Sequence, residues 1–122
     1  MDAVIHFNQG SVVVTTSGLA QTAACERVLD AILADARFER GMPMLFDHSE
    51  LDVALLTSYE IRGIAEVFLS RSEALGSGRS AMVAPTDAAY GLARMFAVYA
   101  DTEDRNVQAF RTREEAAEWL TS

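Results

Sequence analysis

The apolar positions of this chain alternate between two rhythms. Val12-Val13-Val14, continued by Thr15-Thr16, is a β-branched run and predicts a strand. Val4 to Phe7 predicts its antiparallel partner, because the turn Asn8-Gln9-Gly10 between them is short enough to close a hairpin. Cys25, Val28, Leu29, Ile32 and Leu33 then recur at three-and-four spacing, the stripe of an amphipathic helix. Gly41 and Pro43 end that segment. Met44-Leu45-Phe46 reads as a short buried third strand ending at Asp47. Thr57 with Glu60 forms a capping box, and the helix behind it buries Ile61, Ile64, Ala65, Phe68 and Leu69. Ser80 to Ala84 is the fourth strand. Thr86 or Asp87 caps a third helix that carries Ala89, Leu92, Ala93 and Phe96 on one face. Val107 to Phe110 is the fifth strand. Thr112 with Glu115 is a second capping box, opening a short helix with Ala116, Trp119 and Leu120 inside.

The order ββαβαβαβα predicts an α/β fold. Strands joined through helices must run parallel, with right-handed crossovers. The expected architecture is a mixed five-stranded sheet with one antiparallel edge strand, formed by residues 1–122 as a single domain. Strands laid down in chain order would put every crossover on one face and leave the other without helices. Val12 and Val14 point one way and Val13 the other, so the uncovered face would be apolar. That predicts a partner or a second copy, most simply a homodimer.

Composition narrows the function classes. Half of the 122 residues are apolar, enough for a packed core. The longest apolar runs fall well short of the roughly 20 residues that span a bilayer. No basic segment followed by an apolar one opens the chain, and a single cysteine forms no internal disulfide. The expected location is cytoplasmic. Eighteen acids against ten bases leave a net charge of −8, which disfavours nucleic acid and anionic membrane surfaces as partners.

The candidate chemistry is sparse. Asp47-His48-Ser49-Glu50 lies at the carboxyl end of a parallel strand, where α/β sheets bind ligands. Asp47 and His48 could polarise Ser49, or hold a metal with Asp52. Neighbours on a strand point to opposite faces, however, and a strand-end Asp commonly ties down the following loop. His6 reads as an exposed edge residue, with no ligand spacing linking it to His48. Cys25 reads as a buried thiol without a base to activate it. Gly76-Ser77-Gly78-Arg79 precedes a strand, so it is no phosphate loop, and Arg79 is expected to solvate it. No catalytic set, cofactor site or metal site emerges, and an enzyme is not expected. Gly91 is different. A glycine inside a helix costs about 1 kcal/mol against alanine, so either something packs closely there or room is kept for a ligand or partner. Tyr90 and Arg94, four apart, share a face that would suit an interface anchor or an anionic head group.

The hairpin, Arg37-Phe38 before Gly41, the strand ending in Asp47, Ala84-Pro85-Thr86-Asp87 running into Tyr90-Gly91-Leu92-Ala93-Arg94-Met95-Phe96, and Phe110-Arg111 with Ala116-Ala117-Glu118-Trp119-Leu120 together resemble the SpoIIAA-like group of the STAS superfamily. These are small bacterial proteins, many of unknown function. The resemblance implies a βα superhelix, also likened to Sec14/CRAL-TRIO domains. It implies two roles. One is binding a kinase-like partner under a phosphorylation switch at the helix after strand three, where Thr57 and Ser58 stand. The antagonist motif Asp-Ser-Ser-Gly is replaced there by Leu55-Leu56-Thr57-Ser58-Tyr59. The other is an apolar pocket for a lipid-like ligand. The sequence therefore supports a non-enzymatic protein-interaction module first. The alternative is a binder of a small apolar or lipid-like ligand, with Tyr90, Gly91, Arg94 and Asp47 as the candidate site.

Overall fold

The computed structural model describes residues 1–103 and 105–122. The chain forms β1 (Asp2–Asn8), β2 (Ser11–Leu19), α1 (Thr22–Ala34), β3 (Met44–Asp52), α2 (Ser58–Ser70), α3 (Ser72–Leu75), β4 (Arg79–Val83), α4 (Asp87–Ala100), β5 (Asn106–Phe110) and α5 (Arg113–Leu120). The sheet order is β1-β2-β3-β4-β5, with β1 antiparallel to β2 and the other pairs parallel. This is the expected mixed sheet, with the single turn α3 added after α2. Gln9 and Gly10 both take positive φ, 48° and 84°, as a two-residue hairpin turn with the right twist requires.

Alternation along the strands sorts the core into two layers. Val12, Val14, Met44, Met82 and Val107 face α1, α2 and α4, meeting Leu29, Ile32, Ala65, Phe68 and Ala93. Leu45, Ala81 and Val83 face the other way and meet Ala116 of α5, with Trp119 and Leu120 beside it. This corrects the expectation of a helix-free face. After β5 there is no further parallel strand to reach, so α5 is not a crossover and can fold back onto the side the crossovers left open. Its apolar stripe covers β3 to β5 there. Only the β1–β2 part of that face stays uncovered, where Val4 is 53% exposed.

Two loops also differ from expectation. β2 and β3 run on past Thr16 and Asp47, so that Ser17, Gly18 and Leu19 pair with Glu50, Leu51 and Asp52 across a register irregularity. One extra residue in β3 absorbs the mismatch, as a bulge does. Arg79 does not simply solvate its loop. Its guanidinium donates to the Trp119 carbonyl and the Ser122 hydroxyl and lies 5.1 Å from the centre of the Trp119 ring, fastening α5 to β4.

At the same end of the sheet as Arg79, where the parallel strands begin, Arg105 is buried, 2% exposed. It donates to the Ser80 hydroxyl at 2.8 Å, the Met42 carbonyl at 2.9 Å and the Gly76 carbonyl at 3.0 Å. Burial lowers its pKa to about 10, so the group stays cationic at neutral pH. Glycines make room for this cluster: a Cβ on Gly78 would sit 2.6 Å from the Gly41 carbonyl oxygen and 3.0 Å from Arg105 Nη1.

Candidate functional site: an apolar cavity over the parallel strands

The crossover helices do not close completely on the sheet. A cavity of about 110 Å³, partly open to solvent, lies between α1, α2, α4 and the later residues of β2, β3 and β4. Its floor comes from Thr16, Phe46, His48, Met82 and Ala84. Its walls come from Val28 and Leu29 of α1, Ile61, Ile64 and Phe68 of α2, and Ala89, Leu92, Ala93 and Phe96 of α4. The space has a local cause. Ala89 and Ala93 stand one turn apart on the inward face of α4, and Ala84 directly follows β4 beneath them. Three methyl groups meet where larger side chains would have filled the layer.

The cavity has one polar corner. Thr16 Oγ1 lies 2.6 Å from His48 Nδ1 and 3.3 Å from the Asp47 carbonyl oxygen. The His48 ring stacks on Phe46, with centroids 6.2 Å apart and planes inclined at 22°. Burial lowers the His48 pKa to about 4, against a smaller opposing pull from the Asp47 carboxylate, so the imidazole is neutral at neutral pH. Cys25 also lines the cavity, and burial raises its pKa, keeping it a thiol. Thr16, His48 and Cys25 are the hydrogen-bonding side chains of the wall, and none is charged.

Tyr90, Gly91 and Arg94 are elsewhere on α4, on the side turned from the cavity. Tyr90 is half-buried beneath Arg111, whose guanidinium carbon lies 4.4 Å from the ring centre and which also pairs with Asp87 at 2.6 Å. Arg94 is exposed. A Cβ on Gly91 would meet nothing within 4 Å, so close packing does not explain that glycine. Asp47 lies across the sheet, on the α5 side. It accepts hydrogen bonds from the Ser49 backbone N–H at 3.0 Å and from the Ser49 hydroxyl, with Arg113 Nε 3.7 Å away. Its side chain ties down the following residues, and it does not converge with His48. His6 is exposed on that same far side of the sheet. Among the described residues, no three His, Cys, Asp or Glu side chains gather as a metal site would require. Thr57 accepts from Glu60 N–H at 3.3 Å and caps α2, while Ser58 is exposed in its first turn.

The signal for His48 was present in the sequence as alternation. Met44, Phe46 and His48 are two apart, so whatever face buries the first two receives the third. Nothing in the pattern marked Thr16 as its partner, because the β2–β3 register sets that pairing.

Among the described residues no helix is long and apolar enough to cross a membrane. No family model matches the chain, and no curated protein matches it. A solved structure does: an uncharacterised protein from the DUF3478 family with a SpoIIAA-like fold, from Shewanella loihica PV-4. It aligns with a TM-score of 0.60 at 17% identity, over 98% of this chain and 92% of that one. The fold of this chain is therefore SpoIIAA-like.

Proposed function

We propose that this protein of SpoIIAA-like fold is a non-enzymatic binding module, and that the cavity under α1, α2 and α4 takes a small apolar or amphipathic ligand. The observation that carries the reading is the cavity itself, almost wholly apolar and partly open to solvent. An unfilled apolar space of 110 Å³ costs a fold about 2–3 kcal/mol, which a ligand of matching shape would recover. Apolar cavities of this order, near 150 Å³, stay dry and take up molecules such as benzene. Catalysis is the weaker reading. The one imidazole beside a hydroxyl among the described residues is His48 next to Thr16, and Thr16 is 1% exposed, leaving no room for attack on a substrate, while the Asp47 carboxylate beside the Ser49 hydroxyl is engaged in tying down its own loop. Cys25 is held as a thiol.

The test is a native mass spectrum of the purified protein, followed by titration with benzene observed on the methyl signals of Val28 and Ile64. Retained mass, or shifts confined to the lining, supports the reading. Val28→Phe or Ile64→Phe, each filling the space, should abolish uptake. Unchanged uptake in both variants would sink it.

A second reading rests on the open β1 side of the sheet. β1 pairs on one edge only, and its own Val4 is 53% exposed. An unpaired edge with an apolar neighbour is a template for a second copy or a protein partner. The same spectrum reports on it: a dimer that Val4→Lys dissociates supports homodimerisation through this strand, and a monomer at all concentrations removes it.

A further inference from the structure

The polar corner of the cavity restricts the ligand further, an argument that rests on the cavity being the binding site. The Thr16 hydroxyl has one proton and two neighbours. The Asp47 carbonyl can only accept, at 3.3 Å, whereas His48 Nδ1, at 2.6 Å, can donate or accept. One assignment satisfies both contacts. Thr16 donates to the carbonyl, and His48 Nδ1–H donates to the Thr16 oxygen. The other ring nitrogen, Nε2, is then left with a lone pair. No hydrogen bond from the protein reaches Nε2 among the described residues, and no buried side-chain nitrogen or oxygen is left unpaired, so Nε2 is accessible from outside the protein, on a residue that lines the cavity.

Charge points the same way. The lining carries no Lys, Arg, Asp or Glu side chain, and the chain as a whole carries −8. A carboxylate or phosphate brought here would set its lone pairs against that of Nε2 and lose its water with no cationic side chain to replace it, the ammonium of Met1 being the one positive group that a lining residue carries.

We infer that the cavity selects a neutral ligand with an apolar body and one hydrogen-bond donor, an alcohol or phenol rather than a fatty acid anion, and that His48 Nε2 accepts from that donor. Burial, which keeps the imidazole uncharged at neutral pH, is consistent with this role.

The experiment uses 1-hexanol, hexanoate and benzene as probes on the whole chain at neutral pH, read by methyl and imidazole-nitrogen NMR. In the free protein, the His48 signals should report a protonated Nδ1 and a bare Nε2. Hexanol should bind about tenfold tighter than hexanoate, the worth of one good hydrogen bond made against one prevented. His48→Phe keeps an aromatic ring on Phe46 and leaves Thr16 its carbonyl acceptor. It should remove the preference for hexanol while leaving benzene affinity within about twofold. A proton on Nε2 in the free protein, or equal affinity for hexanol and hexanoate, overturns the inference even if benzene binds. If benzene and hexanol both leave the lining signals unmoved, the cavity reading itself falls.

Discussion

Thr16 and His48, on neighbouring strands, are joined by a 2.6 Å hydrogen bond, and the bond holds a neutral histidine inside an apolar wall. An unfolded chain would protonate that imidazole near its ordinary pKa of about 6.5. The folded chain does so only near 4. Between those values the unfolded state binds more protons, so stability falls as pH falls through that window and is level above it. The full difference is at most about 3 kcal/mol. Urea unfolding of the wild type and His48→Phe across that range checks it: the wild-type curve should drop more steeply. Parallel curves would mean that His48 titrates normally.

Arg105→Met should be among the most damaging single changes. The buried guanidinium donates to Ser80, Gly76 and Met42, and methionine leaves those acceptors buried without donors. A loss of about 3 kcal/mol or more is expected, offset in part because no cation then needs burying. Denaturant midpoints measure it. A loss below about 1 kcal/mol would show that water replaces the lost donors.

Gly91→Ala should stabilise the protein by about 0.5–1 kcal/mol, since the new methyl meets nothing and the helix gains propensity. Gly76→Ala should do the reverse. Its φ is +80°, and a Cβ there would stand 2.7 Å from the Gly41 backbone nitrogen. If Gly91→Ala instead weakens the fold or a binding activity, that surface of α4 has an occupant.

Thr57→Ala should cost about 1 kcal/mol, through loss of the acceptor for Glu60 N–H at the start of α2. Ser58→Ala, one position on, should be close to neutral because its side chain is exposed. The contrast, read from thermal midpoints, separates the capping role of Thr57 from any use made of Ser58.

Where sequence and structure agree, the signal was local. Thr57 with Glu60 and Thr112 with Glu115 are close in the chain, and each threonine accepts from the backbone N–H three residues on. The core faces of α2 and α4 follow from spacing alone. The differences are non-local. The placement of α5 depends on which sheet face the crossovers leave open. The pairing of Ser17 to Leu19 with Glu50 to Asp52 is concealed by polar side chains that suggest loops. The cavity is hardest to read, because it is a deficit of volume among Ala84, Ala89 and Ala93, and periodicity records which residues face inward without recording whether they fill the space.

The sheet order has a consequence for assembly. Each strand pairs with the one made just before it, so no strand has to be threaded between two that are already joined. The sheet can grow from one edge, the hairpin closing first and the three parallel pairings, 27 to 36 residues apart along the chain, closing more slowly. The exception is the Arg105 latch. It links the last strand to Met42, 63 residues earlier. The bonds that fasten β3, β4 and β5 at their starting ends can form only when the fifth strand arrives, which makes this latch a late event in folding.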